Sequence, residues 1–151
     1  MDKLALKNME GGALLPCCGK SNKRQKMTGF YRDGLCRTDA EDRGTHIVCA
    51  EMTREFLEFT KKQGNDLSAD AGAHFRGLVP GDRWCLCIDR WLEARRAGVA
   101  PPIFPQSTDR RATDHISTVA GADVLDAQKA KDVPLGLNFN EHMRGGRLAP
   151  L

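Results

Sequence analysis

Six cysteines, at positions 17, 18, 36, 49, 85 and 87, are the residues of this chain best suited to chemistry. Cys36 follows the turn-prone run YRDG and lies close to Arg32 and Arg37. Positive charge favours the thiolate, so this turn could carry a nucleophilic thiol, with His46 as its base if the fold brings the two together. Cys85 and Cys87 stand two apart in a stretch of strand character, which sends both side chains to one face. Their Cβ atoms are then well beyond the roughly 4 Å that a disulfide needs, so no bond is expected between them. With Cys49, Cys36 and His46 they offer zinc-type ligands, yet closed zinc sites are usually built on CxxC or CxxxxC knuckles, and the chain has neither. The expectation is therefore no metal and no cofactor, with Cys49 and one of the CxC pair buried as small hydrophobes.

Asp33, Asp39, Glu41, Asp42, Asp66 and Asp82 all fall in predicted turns, where such side chains commonly bond nearby backbone N–H groups. The alternative is a gathering of carboxylates at one mouth of the domain. The candidates for chemistry are thus Asp33, Cys36, His46, Cys49, Asp82, Cys85 and Cys87. Gly19-Lys20-Ser21 copies the end of a phosphate-binding loop, but Leu14 stands where that motif needs glycine, and no strand precedes it.

Two strand–helix units would position these residues. HIVCA, from His46, is an apolar β-branched run suited to a buried strand. Thr53 then reads as the N-cap of a helix over REFLEFTKKQ, with Phe56, Leu57 and Phe59 as its apolar stripe, Lys61 and Lys62 near its end and Gly64 as its stop. The turn Pro80–Asp82 opens the second unit. RWCLCI is its strand, and Asp89 is the N-cap candidate of a helix over RWLEARRAG that Gly98 ends. Trp84, Trp91, Phe56, Leu57, Val48 and Leu92 should form the core. IFPQ, after Pro101 and Pro102, is expected as an edge strand interrupted by Pro105, and weaker helical signals follow at 109–116 and 122–130. Residues 1–12 read as a lead-in, 13–130 as a single small α+β domain with short turn-rich strands near its start, and 131–151 as an extended tail.

A chain of 151 residues can bury a core without staples, and 28% charged residues is ordinary for a globular protein. With no apolar run near 20 residues and no signal sequence, a cytoplasmic location is expected, where thiols stay free, metal-bound or redox-active. The net charge of +3 mixes 23 basic with 20 acidic residues, which speaks against nucleic-acid binding; the local exception, GKSNKRQK at 19–26, reads as a solvated loop.

The runs MTGFYRDGLC, EDRGTHIVCAEMTREFLEF, GNDLS and GLVPGDRWCLCIDRWLEARRAGVAPP resemble a mainly bacterial family known as domain of unknown function 2237, over about residues 9–130. The resemblance implies a small α+β domain and no established activity. It places the family's recurring polar and thiol positions on Cys17, Asp33, Cys36, Glu41, Asp42, His46, Cys49, Asn65, Asp66, Asp82, Cys85 and Cys87. Where the family usually has two adjacent cysteines this chain has Leu35 and Cys36, its basic loop is longer, and the tail from Lys131 has no counterpart.

The leading expectation is a binding or accessory module that docks on a larger assembly, and the alternative is a small thiol-dependent or metal-assisted enzyme. Val133, Leu135, Leu137, Phe139 and Leu148 give the tail apolar anchors for a protein partner, while Pro134, Gly136, Gly145, Gly146 and Pro150 deny it a regular helix. Deleting residues 132–151 should then leave the melting temperature almost unchanged and abolish co-purification with the partner. A large fall in melting temperature would show that the tail packs on its own core.

Overall fold

The β-branched run after Thr45 forms strand β1, His46–Glu51, and its four central residues are buried. A computed structural model of the chain describes residues 6–17, 28–69 and 77–116. The basic loop at 19–26, the helical signal at 122–130 and the tail at 131–151 lie outside the described residues. Helix α1, Arg54–Lys62, starts as expected at Thr53, whose Oγ1 accepts the Phe56 N–H at 3.1 Å. It stops at Gly64, whose φ of +90° suits glycine. Phe56 and Leu57 bury its apolar face and Phe59 packs against the same core.

The second unit is strand β2, Arg83–Cys87, followed at once by helix α2, Ile88–Arg96. Asp89 is not the N-cap. That position is Cys87, which makes no side-chain cap bond, and Asp89 falls in the first turn, where its charge still suits the helix dipole. The expected core is buried apart from Leu92, which is half-buried at its margin. The Trp91 indole N–H donates to the Pro101 carbonyl at 2.8 Å, so the largest core side chain leaves no polar group unsatisfied.

The two strands pair antiparallel in a two-stranded sheet, with Cys49 opposite Cys85 and Ala50 opposite Trp84. Val48, Ala50, Trp84 and Leu86 belong to the aliphatic and aromatic core, while Cys49 and Cys85 join Cys17, Cys36 and Phe104 in a second buried group. This division follows from the alternation of side chains along a strand. Segment 102–109 covers the outer edge of β1: Glu51 N–H donates to Pro102 O, Phe104 N–H to Cys49 O, and Asp109 N–H to Ile47 O. The expected edge strand there is reduced to one bridge, Ile103 with Ala50, because Pro105 has no N–H to continue it and opens a 3-10 helix over Pro105–Ser107. A second 3-10 helix spans Arg110–Asp114. The expected N-terminal strands are single bridges at Lys7–Ala13 and Cys36–Thr108, and Asn8 bridges to Asp109. Among the described residues no helix is long and apolar enough to cross a membrane.

The structure corrects the expectation that the chain, with free, metal-bound or redox-active thiols, has no disulfide framework. Cys17 is bonded to Cys49 and Cys36 to Cys85, with Cα atoms 5.6 and 5.2 Å apart, inside the span a disulfide bridges. Spacing along the chain could not show this, because the partners are 32 and 49 residues apart. Cys87 is unbonded, in keeping with the expectation that it does not pair with Cys85.

Phe56 is fully buried among the apolar side chains joining α1 to the sheet. Phe56→Ala should therefore lower the unfolding free energy by about 3–5 kcal/mol, read by urea titration. A loss below about 1 kcal/mol would mean that this site collapses around the missing ring.

Candidate functional site

Antiparallel pairing turns the sequence separation of His46 and Cys87 into direct opposition. Continued without irregularity, the pairing of Val48 with Leu86 would set Ile47 opposite Cys87. A bulge between His46 and Val48 inserts one residue, and His46 takes that place instead. Side chains so opposed start from Cβ atoms about 4.5–5.5 Å apart. Both line a cleft of about 380 Å³ whose wall also includes Phe30, Arg32, Asn65, Leu67, Trp84, Cys85 and Leu86. That volume is within the range of small-molecule sites, roughly 300–1,000 Å³.

His46 is held from three sides. The Asp42 carboxylate accepts the His46 backbone N–H at 2.8 Å and contacts its Nδ1 at 2.6 Å. A carboxylate only accepts, so Nδ1 carries the hydrogen and the neutral ring keeps its lone pair on Nε2. The Asp42 side chain is fully buried whereas His46 remains 38% exposed. Burial pushes the Asp42 carboxyl upward, but hydrogen bonds from the His46 backbone and ring, the attraction of that ring, and a bond from Thr38 hold it below the usual carboxylate range. Phe30 stacks beside the imidazole, with centroids 6.2 Å apart and 18° between planes. Gly44 supplies the third side: a Cβ built there would come within 2.4 Å of the ring's Cε1.

The opposite wall is set by the loop that includes residues 28–38. Thr28 Oγ1 accepts the Cys85 N–H at 2.9 Å, and Gly34 N–H donates to Thr28 O at 2.9 Å, which closes the loop on β2. Gly29 has a φ of +96°, and a Cβ there would meet the Leu35 carbonyl at 2.4 Å, so only glycine fits this closure. Arg32 lies 5.4 Å over the Trp84 ring, donates to Gly29 O at 2.6 Å, and has its pKa drawn down by burial. Arg32 and Thr45 are the described non-glycine residues with positive φ, +55° and +50°. One lines the cleft and the other precedes His46, and strained backbone of this kind concentrates at functional sites.

The seven sequence candidates separate. His46, Cys85 and Cys87 meet at the cleft. Cys36 is no free thiol: it is fully buried in its disulfide, and its neighbour Arg37 is spent on Asp33 at 2.7 Å and on the Tyr31 ring. Cys49 is likewise buried and bonded. Asp33 and Asp82 are buried turn acids that accept the N–H groups of Leu35 and Val79. Asp39, Asp42 and Asp66 accept backbone N–H groups in the same way, so the turn-capping expectation describes these acids well. Sequence reading did not single out Phe30, Trp84 or Gly44 for the site, nor Asp42 as the partner of His46. The spacing of four between Asp42 and His46 was the one available signal.

The model of the family described as "uncharacterized protein conserved in bacteria", domain of unknown function 2237, matches residues 7–124, and the chain belongs to that family. No curated protein matches the sequence.

Replacing Asp42 with Ala should destabilise the protein by about 1–3 kcal/mol at neutral pH, since the N–H of His46 loses its acceptor. The sign of the pH dependence follows from the lowered carboxyl value. The stabilisation is complete above the unfolded value, about 3.9, and is lost as pH falls through the lower folded value. Denaturation curves of the two proteins should converge below that point, and a constant gap would contradict the ionised pairing.

Proposed function

We propose that this member of the family binds a small anionic molecule in the cleft and reacts with it through the thiol of Cys87. The carrying observation is the register that sets Cys87 opposite His46, whose ring is oriented by the buried Asp42. This is the thiol, base and orienting acid that nucleophilic cysteine chemistry uses. In the reaction the thiol proton passes to His46 Nε2 as the sulfur bonds to an electrophilic carbon, and the same nitrogen returns the proton to the departing group. Arg32 selects the charge: the described lining residues include one guanidinium and no carboxylate. Trp84, Leu67 and Leu86 would hold an apolar body beside it.

A docking role for residues 131–151 stands beside this as a second proposal, supported by the alternation of apolar residues from Val133 to Phe139.

Alkylation kinetics test the thiol reading. Iodoacetamide should label Cys87 in the native protein, and His46→Ala should slow that labelling at neutral pH by roughly tenfold or more. Iodoacetate, an anion, should lose more rate than neutral iodoacetamide in Arg32→Ala. Equal labelling with and without His46 would reject the assignment of the base, and equal loss for both reagents would reject the charge selection.

A further inference from the structure

Below the cleft lies a second set of chemically capable atoms that the Cys87 reading does not use. Cys17, Cys36, Cys49 and Cys85 are each 1% exposed or less and pack in one group with Phe104. The sulfurs of Cys17, Cys36 and Cys49 all lie within 4.8 Å of one another, and Cys85 is bonded to Cys36. The four come from four separate pieces of chain: the N-terminal segment, the loop after Thr28, β1 and β2. Two disulfides therefore sit side by side, with the Cys36 sulfur within 4.8 Å of both sulfurs of the other bond.

Tetrahedral zinc holds thiolates at about 2.3 Å, which sets its sulfurs about 3.8 Å apart. Opening each disulfide frees its two sulfurs, and drawing Cys36 and Cys85 toward Cys17 and Cys49 would close the four around one ion.

We propose that on reduction Cys17, Cys36, Cys49 and Cys85 become a tetrathiolate zinc site, so that the same four sulfurs staple the fold either as two disulfides or as one metal centre. Each disulfide takes two electrons and two protons from a dithiol, which itself becomes a disulfide. Zinc then displaces the four thiol protons as it binds. The donor set is all sulfur, which selects a thiophilic ion over magnesium or calcium. Phe104, which packs with the four sulfurs, carries the Arg83 guanidinium over its ring at 4.4 Å. Cys85 is the one of the four that adjoins the cleft.

Full-length protein is reduced with a phosphine, freed of reductant without oxygen, and alkylated with or without equimolar zinc before peptide mass spectrometry. Zinc should protect Cys17, Cys36, Cys49 and Cys85 together and leave Cys87 open to alkylation in both samples. Cobalt(II) in place of zinc should bind as a single ion per chain with the thiolate charge-transfer absorption of tetrahedral coordination. Cys85→Ser should abolish that absorption and Cys87→Ser should retain it. If the reduced apoprotein is unfolded, zinc should restore its circular dichroism. Protection of none of the four, protection of Cys87 in their place, or cobalt binding that survives Cys85→Ser would overturn the site.

Discussion

The structure depends on a pair of opposed cysteines, Cys49 on β1 and Cys85 on β2, each bonded outward to a loop. A two-stranded sheet is marginal by itself in water. Here one face rests on the helices through Val48, Ala50, Trp84 and Leu86, and the other is closed by Cys17 and Cys36 from segments with almost no regular structure. Loops closed across 32 and 49 residues each restrict the unfolded chain by about 4 kcal/mol in the chain-entropy account. Without that constraint the loop from Thr28 to Thr38 would be held to the sheet mainly by the Cys85 N–H bond to Thr28 Oγ1 and by Arg32 over the Trp84 ring.

The cleft is a consequence of that loop being fixed. Thr28 caps the Cys85 N–H, Gly29 turns where no side chain fits, and Arg32 is carried to the face of Trp84. Across the cleft, the Asp42 turn and the bulge at Ile47 deliver His46 to Cys87. Two local irregularities therefore meet at one place, and both carry a non-glycine residue in the left-handed region. A fold built for stability alone has no use for either, since each costs of order 1–3 kcal/mol. Their convergence on the described free thiol is what supports the proposal made for this cleft.

The two groups of sulfur chemistry differ in access. Cys87 is half-buried and reaches the cleft, whereas the four bonded sulfurs are sealed behind it. Exposure governs which thiol meets a ligand, and burial governs which sulfurs can hold the fold together. Cys85 belongs to both settings, because it lines the cleft and anchors a disulfide. The bonded Cys85 and the unbonded Cys87 thus share a strand, two residues apart.

Much of the architecture was legible along the chain because it is local. The apolar stripe of α1, its Thr53 cap, the stop at Gly64 and the turn acids all act within about four residues, which is the reach of helix periodicity and of side-chain capping. The family likeness was legible for the same reason, in runs of contiguous residues. Cap assignment failed at Asp89, since β2 passes into α2 without the intervening turn that a side-chain cap would occupy. What tertiary structure alone decided is which distant residues meet. Six cysteines allow many pairings, and only the register of β1 on β2 selects Cys49 and Cys85 as neighbours and leaves Cys87 facing His46. That register turns on a single inserted residue at Ile47, and because strand faces alternate every residue, one position decides whether an imidazole or an aliphatic chain confronts the thiol.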